Sequence, residues 1–223
     1  MPLPTVESVS LAYKIANLSW EIGKAVRNAV GSQWSRSPYR LVSSLTTLEF
    51  FQNGDVQIAD YVQDRLLRFN RDDQRLPPFV YGTDPKKDTI DQLLVNGTPH
   101  DFLYDQDEGT IRSKTDLLFK KGDEARAVLL AHSENGFASK RESFTVNAGY
   151  WTDSITMAIV FPSNRKPEHL EMLYRGPRDD PGQWYPATGE KYEVRRTTQG
   201  RLAFAWEGKN LRQGNIYKII WDW

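Results

Sequence analysis

The stretch Leu45-Thr46-Thr47-Leu48-Glu49-Phe50-Phe51-Gln52-Asn53-Gly54-Asp55-Val56-Gln57-Ile58-Ala59-Asp60-Tyr61-Val62 sets the class of the fold. Leu45 to Phe51 is rich in threonine, leucine and phenylalanine, side chains that suit a pleated, half-buried surface. Asn53-Gly54 then supplies two residues that tolerate positive φ, so a type I′ turn is expected there, with Val56 and Ile58 opening the return strand and Tyr61 and Val62 extending it. Asp64 to Phe69 fits either a continuation of that strand or a short helix.

Downstream the pattern first weakens. Pro77, Pro78, Pro85 and Pro99 interrupt the span 70–99, and charges crowd Arg71 to Arg75. A long surface excursion is expected, with one short element near Ile90 to Val95. A structureless loop of that length is unusual unless it packs on something or has a function. Short strands are then expected at Asp101–Tyr104, Asp116–Phe119, Arg126–His132, Ser143–Val146, Ser154–Phe161, Tyr192–Arg196, Leu202–Trp206 and Ile216–Trp221, separated by turns such as Asp107-Glu108-Gly109, Glu134-Asn135-Gly136 and Gln199-Gly200. Many short strands with regular turn signals indicate a β-sandwich or open barrel with antiparallel pairing.

Upstream lies a different periodicity. Leu11, Ile15, Leu18, Ile22, Ala25 and Ala29 recur at helical spacing, Thr5 is placed to cap the first turn, and Gly31 follows the last apolar position. The expected organisation is an N-terminal amphipathic helix over 1–31 and a β-rich domain over 32–223, a mainly β (α+β) chain, with a sub-boundary near 97–100 or, alternatively, a first hairpin that joins the later sheet. The alanine end of the stripe favours packing on the chain's own domain. Leu11, Ile15, Leu18 and Ile22 would otherwise form the seam of an association helix, for self-assembly or for a protein partner.

The bulk composition narrows the function. The 29 basic and 29 acidic side chains cancel, so no long-range field gathers polyanions, and nucleic acid is not an expected partner. There are no cysteines, which removes disulfides, thiolate metal sites and cysteine nucleophiles. The start, MPLPTVESVS, lacks the basic and apolar regions of a secretory signal, and no run approaches the ~20 apolar residues of a membrane span. A cytoplasmic location is expected.

Catalytic signatures are missing. His100, His132 and His169 lie far apart and share no metal spacing such as HExxH. Asp105, Asp107 and Glu108 open like a calcium loop, but Gly109, Thr110 and Asp116 stand where that loop needs other residues, so a solvated turn is expected. Asp179-Asp180 sits among Arg175, Arg178 and Pro181-Gly182, a charge-balanced loop. No GxSxG, GxxxxGK[ST] or GxGxxG motif occurs. No cofactor and no metal are expected.

The aromatic residues are more informative. Five of seven tryptophans fall after residue 150, and most belong to the expected core. Trp184-Tyr185 sits instead in a loop rich in proline and glycine, and is the candidate contact for a ligand or partner. The run TDSITMAIVFP (152–162) and the closing GNIYKIIWDW (214–223) resemble the β-sandwich modules that end some bacterial multidomain signalling and defence proteins, over about the final half of the chain. The resemblance implies a sensing or interaction role and carries over no functional residue. The leading expectation is a non-enzymatic binding or regulatory module. The alternatives are a carboxylate-dependent hydrolase, such as a carbohydrate-active enzyme, and a non-catalytic sugar- or nucleotide-binding module.

Overall fold

The computed structural model describes residues 37–53, 56–80, 88–105, 109–114, 116–149, 151–187, 192–211 and 213–223. The expected helix with Leu11, Ile15, Leu18 and Ile22 lies outside the described residues. The strands, in chain order, are β1 (Tyr39–Asn53), β2 (Val56–Phe69), β3 (Phe79–Val80), β4 (Asp88–Val95), β5 (Thr98–His100), β6 (Phe102–Asp105), β7 (Thr110–Ser113) and β8 (Glu124–Glu134). They continue as β9 (Arg141–Asn147), β10 (Thr152–Val160), β11 (Leu170–Arg175), β12 (Tyr185–Pro186), β13 (Tyr192–Arg196), β14 (Leu202–Leu211) and β15 (Ile216–Asp222). The chain is mainly β, and among the described residues no helix is long and apolar enough to cross a membrane.

Eight strands form one sheet in the order β13-β14-β10-β1-β2-β8-β4-β5. A second sheet runs β12-β11-β15-β9, and a third, smaller one runs β3-β7-β6. The first hairpin forms as expected and is longer than its apolar run. The segment 64–69 continues β2, because Leu67 and Phe69 keep the alternation of buried positions set by Ala59 and Tyr61. Asn53 pairs with Val56, so it belongs to the ladder and not to the turn; the connection falls on residues 54 and 55, which lie outside the described residues. The hairpin does join the later sheet. It does so through a parallel pairing of β1 with β10, from Leu41↔Thr152 to Glu49↔Val160, in an otherwise antiparallel arrangement. Parallel neighbours need a long crossover, and here everything from β2 to β9 supplies it.

Two other expectations change. Asp116–Phe119 is not a strand; only Phe119 bridges, to Gln74, while its ring stacks 4.4 Å from Phe69. The span 70–99 holds the element expected near Ile90 to Val95, as β4, and adds β3 and the start of β5 to it; Leu170–Arg175, where no strand is expected above, is β11.

Alternation along each strand divides the chain into an inner and an outer side. Leu48 and Phe50 of β1, Ala59 and Tyr61 of β2, Ala127, Leu129 and Ala131 of β8, and Ile155, Met157 and Ile159 of β10 share one core with Phe144 of β9, Met172 of β11 and Ile219 and Trp221 of β15. The eight-stranded and four-stranded sheets therefore pack face to face, as in a sandwich. Phe79 and Ile111 bring the small sheet to the same core. At its centre Trp221, fully buried, meets Phe50 at 5.9 Å and Phe161 at 5.9 Å, both edge to face. Such pairs add roughly 0.5–1.5 kcal/mol each beyond the area they bury.

Candidate functional site

The loop after β11 is built by its own polar groups. Asp179 accepts a hydrogen bond from the backbone N–H of Gly176 at 2.7 Å, Gln183 N–H donates to the Asp180 carbonyl at 2.9 Å, and the Arg175 guanidinium donates to the Pro181 carbonyl. Asp179 is thus a turn-closing acceptor, which explains a carboxylate at that position without any acid–base role. The loop then delivers β12 to the edge of the four-stranded sheet, with Tyr185 opposite Tyr174 and Pro186 opposite Leu173.

Neighbouring residues entering a strand project to opposite faces, and this separates the two aromatic residues singled out in the sequence. Tyr185 turns inward. Its ring lies 5.7 Å from Tyr174, which lies 6.5 Å from Tyr217, which lies 4.9 Å from the buried Trp206. Tyr185 is the outer end of an aromatic row that runs into the core. Trp184 turns to the outer face of the same sheet. There the Lys218 ammonium sits 3.6 Å from its ring centroid and the Arg175 guanidinium 5.0 Å. Lys218 and Arg175 reach that face because their neighbours Tyr217 and Tyr174 point inward.

Lys218, Arg175 and Arg141 gather positive charge on this face, which also carries Glu171 and Asp222. Lys218 has its pKa lowered, first by burial and then by the positive charges of Arg175 and Arg141. Arg141 is partly answered by Asp222, at 3.8 Å. Among the described residues no carboxylate forms an ion pair with Lys218 or Arg175. The indole face offsets some of their charge, but a partly exposed cation–π contact is worth only about 0.5–1 kcal/mol. Cations placed together on an aromatic platform create a local positive potential that favours an anionic group.

A second charged constellation lies on the outer face of the eight-stranded sheet, and the sequence offered no sign of it. Glu49, Asp60 and His132 are register partners across β1, β2 and β8. Glu49 is buried and bound at 2.6 Å by Arg201, whose guanidinium also donates to the carbonyls of Phe50 and Phe161. Burial raises the Glu49 pKa despite Arg201. Asp60 is pushed up to about 6, chiefly by burial and then by Glu49, with His132 acting in the opposite direction. The His132 ring nitrogen Nδ1 lies within hydrogen-bond distance of Asp91, at 2.9 Å, so β8 holds His132 beside β4 at the surface of the sheet. Glu49 and Arg201 are separated by 152 positions, and only the fold brings them together. Arg201 ties the turn before β14 to β1 and β10, which makes the pair a structural clamp. Among the described residues no group of three or more His, Asp or Glu side chains is placed to hold a metal ion.

No family model matches the sequence, and no curated protein matches it. Solved structures do resemble it in fold. A candidate protease from Parabacteroides distasonis superposes with a TM-score of 0.52 at 10% identity, over 83% of this chain and 40% of its own. An M1 zinc metallopeptidase from Deinococcus radiodurans gives a TM-score of 0.49 at 6% identity, over 85% of this chain and 43% of its own. The chain thus spans less than half the length of these proteins. At such low identity the likeness to the first concerns the fold alone.

Proposed function

We propose that the chain is a non-enzymatic binding or regulatory module of the cytoplasm, whose four-stranded sheet receives an acidic segment of a protein partner. The observation that carries this reading is the placement of Lys218 and Arg175 over the Trp184 indole, two cations without a carboxylate partner among the described residues. An acidic side chain laid on this face would pair with Lys218 and relieve its repulsion with Arg175 and Arg141, while adjoining apolar groups rest on Trp184. Aromatic and arginine side chains are the usual anchors of such contacts. The hydrolase alternative has less support, because Glu49 is committed to Arg201 and Asp179 to its own turn.

The test is a titration of the full chain with an octaglutamate peptide carrying one tryptophan-free leucine flank, followed by Trp fluorescence and calorimetry at low and high salt. Binding that weakens as salt rises and that is lost in Lys218→Glu supports the proposal. Equal binding by Lys218→Glu and the wild type, or no binding at low salt, refutes it. A sugar phosphate or nucleotide that binds where the peptide does not would assign the same cations to a small ligand.

A further inference from the structure

The eight-stranded sheet ends on two unlike edges. β5 has three residues and contains Pro99, which has no N–H to donate, so that edge is blunt. β13 has five residues and no proline, and among the described residues it pairs with β14 alone. Two large apolar side chains stand exposed on it: Tyr192 at 58% and Val194 at 52%. Both project to the face that carries Trp206 and Phe204, their partners across the ladder, and the Tyr192 ring stacks 5.5 Å from Phe204. Glu193 and Arg195 project to the opposite face, where they form an exposed ion pair.

The hydrogen-bond pattern shows which backbone groups of β13 are directed outward. Thr197 N–H donates to the Arg201 carbonyl at 2.8 Å, and Phe161 N–H donates to the Leu202 carbonyl at 2.8 Å. The first bond joins Thr197 and Arg201 as a hydrogen-bonded pair; the second turns Leu202 toward β10. Bonded and non-bonded pairs alternate along an antiparallel ladder. Arg195 and Glu193 are therefore the residues bonded to Ala203 and Ala205 of β14, and the N–H and C=O groups of Tyr192, Val194 and Arg196 point out of the sheet. They form an open half-ladder.

Geometry and charge select one partner for it. A second β13 laid antiparallel must set outward residues against outward residues. With most of the strand paired, that leaves registers centred on Glu193, Val194 or Arg195. Centred on Glu193, two glutamates meet; centred on Arg195, two arginines meet; like charges directly opposite are destabilising. Centred on Val194, each Glu193 lies opposite Arg195 of the other copy, in the non-hydrogen-bonded positions where side chains come closest. Val194 then meets Val194, and each Tyr192 ring meets an Arg196 guanidinium. Every residue of the strand finds a suitable partner, and one two-fold axis satisfies both copies at once. Charged side chains on an edge usually deter pairing; here they deter only the wrong registers. We infer that β13 is a self-recognition edge, which joins two copies of this chain into a two-fold dimer with one continuous sheet and Val194 on the axis. The contact is short, so the dimer is weak and reversible. It uses a different sheet from the cations around Trp184 and does not depend on their role.

The charge register supplies the test. Sedimentation velocity of the full chain, from micromolar to millimolar concentration, should show a monomer–dimer equilibrium. Glu193→Arg and Arg195→Glu should each weaken it by at least ~10-fold, because two opposed pairs turn from attraction to repulsion. The side chains concerned are exposed, so both variants should keep the wild-type thermal midpoint. The double variant, which exchanges the two charges, should recover dimerisation. An equimolar mixture of the two single variants should also associate, as each carries the complement of the other. Val194→Pro, which removes an outward N–H and no bond to β14, should abolish the dimer. A wild type that stays monomeric at millimolar concentration, a dimer indifferent to these changes, a double variant that stays monomeric, or single variants that stay apart on mixing would each overturn the inference.

Discussion

Replacing Asp60 with asparagine should stabilise the protein at neutral pH and have almost no effect in acid. Asp60 sits between Glu49 and His132 in the register of the sheet, and its carboxyl is displaced from an ordinary value of 3.8 to about 6, first by burial and second by Glu49. A raised carboxylate binds its proton more tightly in the native state than in the unfolded one. Its favourable contribution is therefore complete below about pH 4 and is lost as pH rises through about 6. The full displacement corresponds to ~3 kcal/mol at about 1.4 kcal/mol per tenfold change. Because Asp60 is only half-buried, solvent screening reduces the expected effect to about 1–2 kcal/mol. Urea unfolding of the wild type and Asp60→Asn, measured side by side at pH 4 and pH 7.5, reads this directly. The variant should match the wild type at pH 4 and exceed it by about 1–2 kcal/mol at pH 7.5. The comparison cancels titrations common to both proteins. If the variant is less stable at pH 7.5, or if the two differ equally at both pH values, Asp60 is not a buried, repelled carboxylate and the reasoning fails.

Arg201→Met leaves the buried Glu49 carboxylate and two carbonyls without their partner, and should cost about 3–5 kcal/mol in chemical denaturation. Glu49→Gln, which keeps an acceptor for Arg201, should cost less. Gly208→Ala should destabilise by about 1–3 kcal/mol, because a Cβ there would lie 2.5 Å from the Trp206 ring and 2.9 Å from Leu211; its thermal midpoint tests this. Trp184→Ala should lower stability by only about 0.5–1 kcal/mol, whereas Tyr185→Ala, which opens the inner aromatic row, should cost more; a single denaturation series ranks the two.

The readable part of this chain was whatever local periodicity decides. Leu45 to Val62 announced a hairpin because alternation and a turn signal coincide within 18 residues, and β8, β13 and β15 were legible for the same reason. The hairpin's register was misplaced by one residue, because Asn53 looks like a turn residue and yet pairs with Val56. β11 was missed: Leu170 to Arg175 mixes apolar and charged residues between segments rich in proline, and its pairing with β15 is what makes it a strand. Nothing local encodes the parallel β1–β10 pairing or the Glu49–Arg201 clamp, since both join residues more than a hundred positions apart. Trp184-Tyr185 was visible as an unusual pair, but its division between two faces depends on β12 meeting β11.

That division indicates where function resides in such an architecture. The inner faces of both large sheets are committed to one aromatic core, and substitutions there act on stability first. Only the outer faces are free to differ in chemistry, and they do. One is apolar at its centre, built of small side chains and buried. The other gathers Arg175, Lys218 and Trp184, with Arg141 nearby. The recognition proposed above rests on the second of these faces, where two cations meet the Trp184 indole. Mutations on the two outer faces should therefore separate cleanly. Ala158→Glu should unfold or loosen the chain without regard to ligand, and Lys218→Glu should leave folding intact and alter binding alone. If Ala158→Glu instead proves neutral for stability yet abolishes binding, the roles of the two faces are reversed.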